Sequence, residues 1–187
     1  MDQRLLVEQA GRGDQDAFAA LVDGSIAQLE AVARLILRDP ELARDAVQDA
    51  YFRCWRSLPG LRDPDRFDAW LRRLTVNACL DTVRRRRRRP AEVDLSPLIQ
   101  PAVSDWSGVL ADRDLLERGF RRLAVEQRAI LVLHYYIGLP VPSIAETLGI
   151  PLGTAQSRLA RALATLRTTM SPERAAELVP VRRGHNA

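Results

Sequence analysis

The sequence contains no lysine: all 28 basic residues among its 187 are arginine. That excludes a phosphate loop of the Gly-Lys-Ser/Thr kind. A GC-rich coding sequence produces such a bias, but arginine also has its own chemistry, because its planar fork grips a phosphate or a guanine edge with two parallel hydrogen bonds. Histidine is scarce too. His134 and His185 stand 51 positions apart and neither neighbours a nucleophile or a ligand cluster, so no catalytic constellation is visible and no enzyme is expected. His134, beside an apolar run, is expected to be a packing residue. Cys54 and Cys79 are the two cysteines, without CxxC or paired histidines, which excludes a disulfide framework and a zinc site and predicts two free thiols on apolar helix faces. Gly11-Arg12-Gly13 is too short for a dinucleotide fingerprint, so no cofactor is expected. No apolar run approaches the roughly 18 residues of a membrane span, and Met1-Asp2-Gln3-Arg4 lacks the basic-then-apolar start of a signal peptide. A cytoplasmic protein without membrane insertion is the expectation.

Alternating strand patterns and Asn-Gly hairpin signals are absent as well, and only ten residues are aromatic, whereas 47% are apolar and 28% charged. This is the composition of a helix-rich globular chain. The net charge of +4 is unevenly placed. Residues 1–83 carry 11 arginines against 14 acids, Arg84 to Arg89 form a run of six, residues 90–112 hold four acids and no base, and residues 113–187 hold 11 arginines against six acids. An acidic front, a basic knot, an acidic connector and a basic back suit a chain whose segments meet different partners.

Asp14 followed by Ala17, Phe18, Leu21, Val22, Ile26, Leu29, Val32, Ala33 and Ile36 has the three-and-four spacing of a long capped helix, with a shorter helix before it. Asp39-Pro40-Glu41 supplies a cap, a first-turn proline and an acid, and announces a helix to about Arg56. Breakers at Pro59-Gly60 and Asp63-Pro64 mark a loop from Ser57 to Asp65. The next helix places Phe67, Trp70, Leu71, Leu74 and Ala78 on one face and runs through the arginines to Pro90. Residues 91–112, with Pro97, Pro101 and no sustained period, read as a linker. Helical spacing returns at Leu115, Leu116, Phe120 and Leu123, and again at Ile130, Leu131 and His134. The fold class expected is all-α: two small helical domains joined by a flexible linker, the second ending in a helix-turn-helix. The boundaries are 1–90, 91–112 and 113–170, with a tail over 171–187.

Three surface patterns carry the functional reading. From Ser143 to Leu159, Ile144, Ala145 and Leu148 give one helix its inner face, Gly149 permits a left-handed turn, and Ala155, Leu159, Ala162, Leu163 and Leu166 give the next helix its own. The outer face of that second helix then carries Thr154, Gln156, Ser157, Arg158 and Arg161, hydrogen-bonders suited to a DNA major groove. On the earlier arginine-rich helix, Arg73, Asn77 and Arg84 fall on one stripe, with Arg72 and Arg85 beside it and the apolar stripe expected to face away. On the helix from Pro40 to Arg56, Ala43, Ala46, Val47, Ala50, Tyr51 and Cys54 form an inner face. Asp45, Gln48, Asp49 and Phe52 line up roughly opposite, an acidic stripe ending in an exposed aromatic that invites a basic protein partner. Trp55 and Trp70 are expected to pack in the core.

Together these patterns resemble the extracytoplasmic-function sigma factors of bacterial RNA polymerase, over most of the chain. Glu41 to Arg56 is similar to the family helix that docks on the β′ clamp helices, with Asp45, Gln48 and Asp49 at the contacting positions. FDAWLRRLTVNACLDTVRR, Phe67 to Arg85, is similar to the segment that melts and reads the −10 element, and Ser57 to Arg66 sits where the family captures a flipped-out base. Leu123 to Arg167 resembles conserved region 4, whose second helix reads the −35 element. The resemblance implies core RNA polymerase (β′ clamp helices and β flap) and promoter DNA as partners, and an anti-sigma factor as a frequent third. It would also thread the linker, with Asp94, Asp105 and Asp112, through the polymerase cleft. Two positions depart from the pattern. Gln156 stands where lysine is usual, leaving an amide that can bind an adenine edge. Pro140 stands where serine or threonine commonly caps, so the first helix of the motif is expected to start nearer Pro142. The rival reading is a helix-turn-helix regulator that binds a palindromic operator as a dimer and never docks on polymerase. A pure protein-interaction module, such as an anti-sigma regulator, is disfavoured by the arginine stripe and the reading helix.

Overall fold

Three aspartates start the first three helices of the computed structural model, which describes residues 2–88 and 117–169. Asp2 accepts the Arg4 N–H at the head of α1 (Gln3–Gly11) and Asp14 those of Asp16 and Ala17 at α2 (Gln15–Leu37); Asp39 accepts those of Glu41 and Leu42 at α3 (Pro40–Ser57). Each side chain satisfies donors that the first turn leaves without partners, stabilising its helix by about 1 kcal/mol. Two 3-10 turns, Leu58–Gly60 and Pro64–Arg66, occupy the breaker-rich loop before α4 (Phe67–Arg88). In the second domain residues 117–122 are helical (α5). Then α6 (Val125–Leu131) passes into a π-turn (Val132–Tyr136), followed by α7 (Val141–Leu148) and α8 (Leu152–Thr169). Among the described residues there is no strand, so the all-α expectation holds. The linker over 91–112, the tail over 171–187, Leu115, Leu116 and His185 lie outside the described residues.

The first domain is a bundle in which α2, α3 and α4 pack on one another with α1 across α2. Small residues make this possible: Ala43, Ala46 and Ala50 are buried along α3 and let its backbone approach its neighbours closely. Leu21, Leu29, Val32 and Ile36 of α2 and Phe67, Leu71 and Ala78 of α4 complete the core. The α2 periodicity overreaches at Ile26, which is exposed because it stands at the edge of the apolar face. Tyr51 is half-buried, its hydroxyl 2.8 Å from Ser25 Oγ. Both early tryptophans pack as expected. Trp55 meets Phe18 edge-on at 4.8 Å and Trp70 leans on Phe67 at 6.3 Å. Cys54 and Cys79 are free and buried; burial pushes both thiols up to about 12, so they are uncharged and inert near neutral pH.

The two domains share one continuous core. Helices α6 and α7 pack against α4, and α6 also packs against the end of α2. That junction contains an unusual backbone: Arg38, which closes α2, has φ 61, and no other non-glycine among the described residues has a positive φ. Left-handed backbone costs a side chain-bearing residue about 1 kcal/mol, so surrounding contacts must hold it.

Candidate nucleic-acid and polymerase interface

The helix-turn-helix is built around Gly149, which ends α7 with φ 63. Its N–H and that of Ile150 fold back on Ala145 and Glu146 carbonyls, closing the turn in the manner of a Schellman motif. The first helix starts at Val141, with Pro142 in its opening turn, because the missing proline N–H would have had no partner there. Ile144 and Ala145 of α7 and Ala155, Ala162 and Leu166 of α8 are buried as the sequence predicts, with Leu148, Leu159 and Leu163 half-buried at the margins. On the outer face of α8, Ser157 and Arg161 are exposed and joined, the guanidinium donating to Ser157 O and Ser157 Oγ, each at 3.2 Å. Gln156, exposed, and Arg158, half-buried, flank that centre on opposite shoulders, roughly 160° of helix rotation apart. Thr154 is half-buried in the first turn. Gly153, Ala160 and Ala164 on the same face are exposed and small, and Arg167 and Thr168 continue it toward the end of α8. Leu152, at the head of α8, and Tyr135 and Tyr136, turned outward by the π-turn, are exposed hydrophobics that sequence reasoning passed over. Their signal, an aromatic pair breaking the apolar period, is faint. His134 is half-buried and packs on Tyr135 at 4.7 Å, with Nδ1 2.9 Å from Leu139 O, in keeping with a structural role.

On α3, Asp45, Gln48 and Phe52 are exposed, Phe52 at 59% with the Arg56 guanidinium 5.6 Å from its ring centre. Asp49 differs. It is half-buried, held bidentately by Arg53 at 2.8 and 3.2 Å, and lies 3.5 Å from Arg85. Arg53 also reaches Asp81 at 3.1 Å, and Asp81 in turn accepts from Arg84 at 3.4 Å. The acidic stripe and the basic knot therefore meet at Asp49, an adjacency that residue spacing within either helix cannot reveal. Acids of α3 and α4 balance part of the arginine run, and Arg86 stands 3.8 Å from Asp39.

On α4, Arg73 and Arg84 are exposed, Arg72 and Asn77 half-buried and Arg85 exposed. Phe67, Leu71 and Ala78 are buried on the inner face of α4, and Leu80, outside that apolar set, is buried as well. Leu80 stands at the edge of the stripe, about 20° of helix rotation from Arg73, and it is buried at 6% because α6 and α7 pack on α4. Helix α1 braces both the loop of residues 57–66, where Arg4 pairs with Asp65 at 3.1 Å, and the start of α4, where Gln3 Nε2 donates to Asp68 at 2.7 Å.

A sigma-70 region 2 family model matches residues 21–89, and a sigma-70 region 4 family model matches residues 113–166. The chain is 38% identical over 156 residues to the ECF RNA polymerase sigma factor SigM of Mycobacterium tuberculosis, covering 82% of this chain and 77% of that one. The chain belongs to the sigma-70 family, in its extracytoplasmic-function group. SigW of Bacillus subtilis is 26% identical over 174 residues, covering 86% and 92% of the two chains. The fold is similar to that of CnrH, solved in complex with the cytosolic domain of CnrY, at a TM-score of 0.62 and 28% identity, over 89% of this chain and 95% of that one. The protein is thus a sigma factor, which binds core RNA polymerase and directs it to promoters. The operator-binding regulator is not favoured. No helix among the described residues is long and apolar enough to cross a membrane.

Proposed function

We propose that this sigma factor divides its work among three faces. Asp45, Gln48, Asp49 and Phe52 of α3 dock on the β′ clamp helices. Arg72, Arg73, Asn77, Arg84 and Arg85 of α4 hold the melted −10 strand. Thr154, Gln156, Ser157, Arg158 and Arg161 of α8 read the −35 duplex, while region 4 meets the β flap. In this division residues 1–90 melt and dock, 91–112 connect and 113–170 read upstream. The protein does no bond chemistry; binding energy alone drives strand opening, each extruded base costing a few kcal/mol of stacking. It works in the cytoplasm, where polymerase is, with an anti-sigma factor as a third partner beside polymerase and promoter. The observation that carries the division is the exposure, on separate helices, of an acid-and-aromatic strip, an arginine stripe and a groove-sized helix face.

The −10 assignment has a direct test. Replacing Arg73 and Arg84 with alanine is expected to lower holoenzyme affinity for a single-stranded −10 oligonucleotide about 10-fold and to flatten the salt dependence by about one to two phosphate contacts, at roughly 0.7 per contact on single strands. Fluorescence anisotropy across a salt series measures both. Unchanged affinity and slope would remove α4 from the DNA path.

A further inference from the structure

Where α3 lies against α4, two carboxylates and three guanidinium groups form one connected set, and Arg53 is the member that none of the three faces above includes. All three of its nitrogens are engaged. Nε and Nη2 donate to the two oxygens of Asp49 at 3.2 and 2.8 Å, and Nη1 donates to Asp81 Oδ2, across on α4, at 3.1 Å. Arg84 and Arg85 hold the same acids more loosely, Arg84 at 3.4 Å from Asp81 Oδ1 and Arg85 at 3.5 Å from Asp49 Oδ2. Exposure follows the same order. The Arg53 side chain is 35% exposed, against 59% for Arg84 and 63% for Arg85.

Three guanidinium groups against two carboxylates leave the set with one positive charge in excess. The bidentate pair on the half-buried Asp49 is the strongest contact in it. Long contacts made by exposed side chains are worth little and give way to a phosphate. Arg84 and Arg85 are therefore held near the strand path without being used up. Without Arg53 the excess charge vanishes, because two carboxylates then face two guanidinium groups. Asp81 and Asp49 would have only Arg84 and Arg85 as partners within the set, and each guanidinium that closed on a carboxylate would be lost to the strand.

We infer that Arg53 is a positioning residue for the melted strand: by holding Asp49 and Asp81 it keeps Arg84 and Arg85 available to phosphates, without itself touching DNA. This role rests on the assignment of Arg84 and Arg85 to the −10 strand. When a phosphate draws Arg84 away, Asp81 keeps Arg53 as its partner, so the exchange leaves no carboxylate bare beside the strand. Lysine is a poor substitute at this position, since it carries the charge but lacks the fork that reaches two acids on two helices.

Arg53→Met keeps the apolar stem and removes the fork; Asp81→Asn removes the acid that would then capture Arg84. Purified holoenzyme is titrated with a single-stranded −10 oligonucleotide across a salt series, and fluorescence anisotropy reads the binding. Arg53→Met is expected to weaken binding about 5-fold and to flatten the salt slope by about one phosphate contact, at roughly 0.7 per contact. Arg53→Lys is expected to give a smaller loss of the same kind. Adding Asp81→Asn to Arg53→Met restores the single positive excess of the set. Affinity is then expected to return to within about twofold of the parent, a rescue that a merely structural role of Arg53 would not give. Unchanged affinity and slope in Arg53→Met overturn the role, and so does a loss that Asp81→Asn leaves in place. A variant unable to form holoenzyme would make Arg53 part of the docking face and overturn it too. Arg84→Ala, titrated alongside, separates this role from the assignment beneath it. If Arg84→Ala binds like the parent, the strand assignment has failed; if it weakens binding while Arg53→Met does not, only the positioning role has.

Discussion

Alanine at Asp45, Gln48 and Phe52 together is expected to weaken binding to core RNA polymerase at least 100-fold, with the melting midpoint of the free protein moved by no more than about 2 °C. The first number follows from the exposure of all three side chains on one face of α3. An exposed aromatic with flanking polar groups is the usual anatomy of an interface anchor, and two such anchors lost at about 1.4 kcal/mol or more each give two decades. The second follows from the same exposure, since surface positions without core contacts move stability little. Asp49 is left out of the variant deliberately. Its carboxylate ties Arg53 and Arg85 together, so an alanine there leaves two guanidinium groups without that partner and confounds docking with local rearrangement. Titration of labelled protein with core polymerase measures the loss, and circular dichroism melting verifies the fold. Binding within threefold of the parent would disqualify α3 as the docking helix.

The second large effect lies on α8. Arg158→Met keeps the apolar stem of a half-buried side chain and deletes its fork. Loss of a bidentate base contact costs about 1–3 kcal/mol, so affinity for a −35 duplex is expected to fall about 10- to 100-fold, while discrimination relaxes at one base pair. Gln156→Lys is expected to act in the opposite sense. It adds a cation on the other shoulder of the outer face, strengthens binding across all sequences, and steepens the salt slope by about one contact. Duplex binding by the purified protein at several salt concentrations, with a panel of single-base substitutions, separates the two. A uniform loss across all sequences in the Arg158 variant would make that residue a phosphate anchor instead.

Local signals made most of the fold legible. Asp14 and Asp39 cap helices through their own side chains and Gly149 adopts the one backbone its turn requires, so each declares its element without knowledge of the rest of the chain. The buried faces of α3 and α8 followed from periodicity for the same reason. Leu80 carries no signal of its burial in the α4 pattern, because the helices that cover it belong to the second domain. The Arg38–Glu117 pair spans 79 positions, and Arg128 reaches Ile36 across 92. A guanidinium that binds a backbone carbonyl leaves no complementary side chain to find, so no pattern of residue types could have announced that contact. The dual engagement of Asp49 escaped for a related reason: each helix was read as its own wheel, and the wheels do not say which faces meet. The interface residues were legible as types and stripes; their standing as exposed, half-buried or already paired was not.

A sigma factor turns core RNA polymerase into a promoter-specific enzyme, and this chain is expected to do so. Run-off transcription with purified core polymerase, with and without the protein, on a library of promoter fragments tests it most directly. Discrete transcripts that need the protein, start downstream of a shared pair of −35 and −10 sequences, and disappear with the Asp45, Gln48 and Phe52 triple variant are the predicted result. A library on which the protein adds no specific start at any template would contradict it.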